Sequence, residues 1–483
     1  MKYNKTLGFA IGPVINALLG FATLPLIAFM FLPGDIGKLN VFQVMLTFGV
    51  LFTVLGLDVA YVREYHEVEN KASLFKACFL PGIVFLAAFT FAAIFFGEQL
   101  SSYAFGEEKS SILMITVIAT VFSFASRFLS LILRMKGDGV LFSLAQITPK
   151  FVQFVLLVVV ALFEINKEFE ILLLIQATSL FAAFLVLVWL TRHGWRQSLT
   201  EKINKSQLVS LLRFGFPLVF SGLSYWGLTA AGVLLLRYRS SFDELGIYSI
   251  VCGFAGVASV LQSVFTVIWS PMVFKWASKN TEVKHIDYII NPVMVIVCLI
   301  FCLIGCFSWL LGYVLPSHYS DIRYLLVAAI APPLYYILSE VTGIGVAIAR
   351  RTIFVFLASA VSFGLNVLLG FYLIPAYGAG GAIVANLISY FVFFLIRTET
   401  SALVWRNFKR AKIYLLVSIV SLISIYGVIY KNNSFVPIET VWVIAFVIFI
   451  FMFKGEVLNL RILLSGRIDI LRQRSFDFEE SKN

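Results

Sequence analysis

The sequence predicts an all-α polytopic membrane protein with about 14 transmembrane helices, and three observations carry that prediction. Hydrophobic residues fill 60% of the 483 positions and charged residues only 13%, about half the charged share of a soluble domain. The mean hydropathy is +0.95. Apolar runs also recur at the length that crosses about 30 Å of hydrocarbon as helix, too long and too uniform for the alternating strands of a barrel.

In chain order the runs fall near 7–31, 39–62, 75–96, 111–133, 140–163, 170–190, 214–236, 245–270, 289–312, 324–348, 352–374, 380–404, 411–430 and 437–453. The first lacks a small-residue cleavage signature and is expected in the mature protein. With the N-terminus inside, the cytoplasmic segments hold 27 Lys and Arg, the external ones 7, and Arg127, Lys150 and Arg397 lie within spans. This bias predicts a multi-pass protein with cytoplasmic N- and C-termini. It also ties the net charge of +11 to anionic lipid, with no need for a nucleic-acid partner.

Function classes narrow from there. Cys298, Cys302 and Cys306 share a helical face and read as small packing residues. The four histidines, His66, His193, His285 and His318, fall in loops, and no P-loop, zincin or paired-carboxylate pattern occurs. The expectation is therefore a transporter and no enzyme, with no metal and no cofactor beyond proton or sodium coupling.

The chain also repeats itself weakly. Pro13 matches Pro217, and "DIGKLNVFQ" from Asp35 resembles "ELGIYSIV" from Glu244. At a constant offset of 216, Arg134 falls on Arg350, Ser143 on Ser359, Gln146 on Ser362 and Lys150 on Asn366. Several matches at one offset favour a duplication, and an even number of spans between copies gives both the same orientation. The predicted architecture is two parallel, pseudo-twofold six-helix lobes: an N-lobe at 1–190, a cytoplasmic linker at 191–213 and a C-lobe at 214–404. Two additional spans follow at 405–454, then a basic tail at 455–483 whose segment 457–474 is amphipathic and suits an inner leaflet.

Candidate site residues come from polar stripes. In span 5, Ser143, Gln146, Lys150 and Gln153 recur every three or four residues and so share one face. Span 4 repeats the pattern with Thr116, Thr120, Ser123, Arg127, Ser130 and Arg134, which reads as a cavity wall. Lys150 lies roughly 15 Å from the inner end of its span, where a charge costs at least about 2.5 to 3.5 kcal/mol and needs a wet cavity or a partner. Asp58 and Glu340 are the candidate partners, as ion pairs Arg127–Asp58 and Lys150–Glu340 or as coupling groups. The alternative is that Arg127 and Lys150 offer a positive field to an anionic substrate, since the matching second-copy positions are Gly343 and Asn366. Prolines at Pro13, Pro25, Pro149, Pro217, Pro332 and Pro333 are expected to bend spans.

"GLDVAYVREYHE" from Gly56, "LRMKGDGVLFSLAQITPK", "LLRFGFPLVFSGLSYW" and "AYGAGGAIVANLISYFVF" together resemble bacterial oligosaccharide flippases, the O-antigen and polysaccharide exporters of the MATE-like MOP superfamily. The resemblance implies a substrate built as an oligosaccharide repeat on undecaprenyl pyrophosphate, flipped across the bacterial inner membrane by alternating access. Arg127 and Lys150 would then face the pyrophosphate, while Ser123, Gln146, Gln153 and Asn366 would line the cavity. A polymerase and a chain-length regulator of glycan assembly would be partners. A MATE-like cation-coupled drug exporter and a lipid II flippase are the alternatives.

Overall fold

The computed structural model describes residues 2–164, 166–202, 205–278, 285–349, 351, 353–431 and 437–453. The amphipathic segment 457–474 lies outside them. Helices α1 (Lys2–Met30), α2 (Pro33–Val54), α3 (Leu57–Glu64), α4 (Lys71–Phe105), α5 (Ser110–Lys136), α6 (Gly139–Leu162) and α7 (Phe169–Leu190) come first. They lead to the short α8 (Arg192–Thr200), then α9 (Lys205–Arg239), α10 (Phe242–Ser278) and α11 (His285–Phe307). After α12 (Leu311–Val314), α13 (Ile322–Ala329), α14 (Ala331–Thr342) and α15 (Ile344–Ile348), the described residues continue with α16 (Ile353–Val404), α17 (Ala411–Tyr430) and α18 (Ile438–Met452).

Among the described residues, twelve stretches are long and apolar enough to cross a membrane, one of them (Ile322–Thr342) made of α13 and α14 together, and α18 is a shorter apolar helix. The count agrees with fourteen runs because α16, at 52 residues, joins two of them through Gly378, whose backbone (φ 51°, ψ −127°) leaves the helical region. Glycine adopts that conformation without a Cβ penalty. Glu244 accepts a hydrogen bond from the Ala379 N–H at 2.7 Å and so satisfies the start of the second half.

Two details depart from the sequence reading. The second span was expected at 39–62, but α2 starts at Pro33 and stops at Val54 because Leu55 and Gly56 both turn left-handed (φ 52° and 69°). Pro332 and Pro333 sit in the first turn of α14, where a missing N–H removes no helical hydrogen bond, so they open a helix and do not bend one.

By packing, the chain forms two compact units, one of residues 1–260 and 359–385, the other of 261–358 and 386–483. In the first, α1 lies along α6, α6 on α7, α5 on α4 and α7, and α2 on α4, α5 and α9. Its core near the α2–α3 break gathers Leu57, Ala60, Tyr61, Leu74, Cys78, Phe124 and Phe128. In the second, α11 packs on α14, α17 and α18, and α13 on α17. Close approach there is visible at Gly305, where an added Cβ would lie 2.3 Å from the Trp442 ring.

Candidate functional site

The seam between α1 and α6 positions the polar face of α6. A Cβ at Gly12 would lie 3.0 Å from both Ser143 Oγ and Gln146 Oε1, so only glycine lets the two backbones meet here. The Gly12 N–H donates to Ser143 Oγ (3.2 Å), and Asn16 Nδ2 donates to the Gln146 carbonyl (3.0 Å). One turn further along, the predicted stripe opens into a cavity. Lys150 and Gln153 of α6, Asn40 and Gln43 of α2, Thr23 of α1 and Ser249 of α10 bring polar side chains to a space of about 400 Å³, otherwise walled by apolar residues and Gly20, Gly253 and Gly256.

Lys150 stands eleven residues into α6, roughly 16 Å from its start. Its Nζ donates to Gln153 Oε1 at 3.0 Å, and among the described residues it forms no ion pair. The other two intramembrane cations are neutralised. Arg127 Nη2 and Nε both reach Asp58 Oδ2, at 2.8 and 3.1 Å, and Arg397 Nη1 reaches Glu340 Oε1 at 2.7 Å. The expected partner of Lys150, Glu340 of α14, therefore belongs to Arg397 of α16, which also donates to Ser339 Oγ (3.2 Å) and has the Phe393 ring beside it.

In the span 4 stripe the first two residues are packed away, while Arg127 and Arg134 are exposed. Thr116 and Thr120 are buried and return their hydroxyls to the carbonyls four residues back in α5 (2.9 and 2.8 Å), while the Thr120 methyl fills the space opposite Gly49 of α2. Ser123 Oγ is buried without a partner in the described residues. Neither Ser123 nor Arg127 lines the cavity of Lys150. Asn366 does not line it either: it is fully buried and donates to the Leu228 carbonyl at 3.3 Å.

Asn40, Gln43 and Ser249 are functional candidates that the sequence reading missed. Their signal was present: Gly37, Asn40 and Gln43 follow one another at spacings of three, which places them on one face of α2. That face is fixed at one end by a glycine crossing. A Cβ at Gly37 would lie 2.3 Å from the Phe242 carbonyl, and one at Gly246 would lie 1.9 Å from the Pro33 carbonyl. Asn40 Nδ2 then donates to Ser249 Oγ at 2.6 Å. At the other end of α2, a Cβ at Gly56 would meet the Gly215 carbonyl at 2.6 Å, and one at Gly215 the Leu55 carbonyl at 2.5 Å. The span 2 motif now has a physical content. Gly56 supplies the left-handed turn, Leu57 is a fully buried core residue, and Asp58 holds Arg127.

A larger groove of about 1110 Å³ runs along α2, α4 and α9, lined by residues such as Phe48, Leu100, Tyr103, Trp226, Leu234 and Tyr238. Its one cation, Arg237, is committed to the carbonyls of Ala104 and Tyr103 (both 2.9 Å) and stacks on Phe242. The smaller cavity thus holds the cation without a counter-charge.

Long apolar helices around a polar cavity define a helical membrane-protein fold, and solved structures share it. A lipid II flippase, MurJ, in an inward closed conformation superposes with a TM-score of 0.66 at 15% identity, over 94% of this chain and 99% of that one. An inward-facing multidrug resistance MATE family transporter of the MOP superfamily superposes with a TM-score of 0.58 at 14% identity, over 80% and 95%. The sequence model of the polysaccharide biosynthesis protein family matches residues 4–277. The chain belongs to that family, on the fold of the MOP flippases and exporters. No curated protein matches it by sequence.

Proposed function

We propose that this protein is a flippase that moves an undecaprenyl-pyrophosphate-linked oligosaccharide repeat, for O-antigen, capsule or exopolysaccharide, from the cytoplasmic to the periplasmic leaflet by alternating access. The observation that carries the reading is Lys150, an ammonium half-buried at mid-span with one neutral partner, Gln153, while Arg127 and Arg397, the other cations within the predicted spans, are each paired with a carboxylate. An anion entering the cavity would recover the free energy that burial of this charge costs, of order a few kcal/mol. Asn40, Gln43, Gln153 and Ser249 supply the neutral hydrogen-bonding groups that sugar hydroxyls or phosphate oxygens accept from or donate to.

Membership in a polysaccharide biosynthesis family supports a lipid-linked glycan as cargo. In this reading 1–190 and 214–404 are the two lobes that alternate around 191–213, both termini face the cytoplasm of a bacterial inner membrane, and a polymerase with its chain-length regulator takes up the exported unit. Asp58 and Glu340 hold arginines and act as counter-ions, which leaves coupling to protons or sodium to other groups. A lipid II flippase is the second reading. It is favoured by the match to nearly the whole length of that fold, the two additional spans included, and it would use the same carrier pyrophosphate.

The test is the leaflet location of undecaprenyl-linked glycan in cells lacking the protein, with and without a plasmid copy, read by a periplasmic polymerase or ligase. Unpolymerised units accumulating inside and released by the plasmid copy are expected. Unaffected glycan assembly with raised sensitivity to cationic drugs would overturn the proposal in favour of a drug exporter, and arrested peptidoglycan synthesis would favour lipid II.

A further inference from the structure

Outside the cavity, the most organised charged surface lies where α7 runs into α8. Phe181, Leu185 and Trp189 are exposed and follow one another every four residues, so they form a single apolar stripe along α7. The stripe ends in cations. Arg192 stacks over the Trp189 ring at 5.2 Å, and Arg196, one turn further along α8, stacks over Trp195 at 5.7 Å. Lys136, from the end of α5, lies on the Gly194 side of the same helix, its Nζ 4.0 Å from where a Cβ on Gly194 would sit, about half a turn round from Arg192 and Arg196. All three cations are exposed, and among the described residues none of them forms an ion pair.

The scaffold beneath is rigid. Lys76 Nζ donates to the carbonyls of Leu199 and Glu201 (2.9 and 2.8 Å), Ser73 Oγ to that of Lys202 (3.0 Å), and Trp195 Nε1 to that of Val188 (3.0 Å). A basic surface that is merely solvated has no need of such fixing, nor of an apolar stripe leading into it. A tryptophan at the end of a span marks the headgroup level of a bilayer, so Arg192, Arg196 and Lys136 stand at the depth of lipid phosphates.

We propose that this corner is a binding site for an anionic phospholipid, with one acyl chain along Phe181, Leu185 and Trp189, the headgroup phosphate held by Arg192 and Arg196, and Lys136 adding to the positive field from the far side of α8. The planar guanidinium groups donate in pairs to phosphate oxygens, and the ammonium adds a point charge. Zwitterionic lipid satisfies the stripe but carries its own cation to the same place.

The test uses the full chain in nanodiscs of phosphatidylcholine doped with brominated phosphatidylglycerol or, separately, brominated phosphatidylcholine. Bromine quenches nearby indoles, and the difference between the protein and Trp189→Phe isolates Trp189. Expected is quenching of Trp189 by brominated phosphatidylglycerol at concentrations roughly fivefold lower per basic residue than by brominated phosphatidylcholine, a preference that shrinks in high salt. Arg192→Ala with Arg196→Ala should remove most of the preference, and the double lysine variant should keep part of it. Equal quenching by the two lipids, or an unchanged preference in the double alanine variant, would overturn the proposal.

Discussion

Asn40 donates to Ser249 in a hydrogen bond of 2.6 Å, and the two stand 209 positions apart, at matching places in the similar segments that begin at Asp35 and Glu244. The same offset relates Pro33 to Phe242 and Gly37 to Gly246. The contacts reciprocate: Gly37 meets the Phe242 carbonyl, and Gly246 meets that of Pro33. A local twofold axis therefore passes between α2 and α10 at this point.

The crossing predicts its own disruption. In Gly246→Ala the new methyl would sit 1.9 Å from a backbone oxygen, so α2 and α10 must separate, at about 1 to 3 kcal/mol by the usual cost of overpacking. A cysteine placed at Asn40 in a background without native cysteines should react with a maleimide several-fold faster when Gly246→Ala is present. Equal rates would show that the crossing does not hold this end together.

For the cavity, Lys150→Ala should insert and fold yet export glycan at a tenth of the normal rate or less. Truncation removes a buried cation and leaves no buried carboxylate behind, so the melting temperature should stay level or rise. Glycan export and thermal melting of the purified variant separate the two effects, and normal export by Lys150→Ala would sink the anion-binding role.

The two formed ion pairs should differ in weight. Glu340 and Arg397 are both about nine-tenths buried as side chains, so Arg397→Ala alone should cost about 3 to 5 kcal/mol by stranding the carboxylate. Asp58 is buried but Arg127 is 57% exposed, and there the double-mutant coupling should be nearer 1 kcal/mol. Denaturant or thermal midpoints for the two cycles decide it, and equal couplings would contradict the burial argument.

Between spans, Glu107 gives a pH signature. Burial pushes its carboxyl up, but the hydrogen bond and charge of Lys38, with the charge of Lys109, outweigh that and leave it below the ordinary carboxylate value. A group with a depressed folded-state pKa stabilises fully above its unfolded value and loses that contribution as pH falls through the folded one. Melting temperature should therefore drop on acidification below the ordinary glutamate range, and Glu107→Gln should flatten that part of the curve.

Much of the fold was legible because hydrocarbon imposes long apolar helices, and fourteen runs can be counted directly. Boundaries were less so: nothing in a hydropathy profile distinguishes the left-handed pair Leu55–Gly56 from a continuing helix. Spacing placed Gln146, Lys150 and Gln153 on one face of α6, but it could not tell that Lys150 and Gln153 line the cavity while Gln146 packs against Gly12 of α1. Thr116 and Thr120 misled because threonine hydroxyls can return to their own helix carbonyls, which makes a buried packing face look polar. Asn40 and Ser249 escaped notice because each is a single neutral residue, and only the crossing of α2 with α10 brings them together.

Reciprocal contact across a local axis is how two identical subunits meet in an isologous dimer. In such an ancestor, any lysine at the position of Lys150 would be present twice, and two ammonium groups would repel each other beside the axis. Joining both copies in one chain lifted that constraint. In this chain the first half carries the cation alone, and the position that matches it by sequence, Asn366, is a buried residue that donates to the Leu228 carbonyl, so a seat at Lys150 has no charged mirror image there.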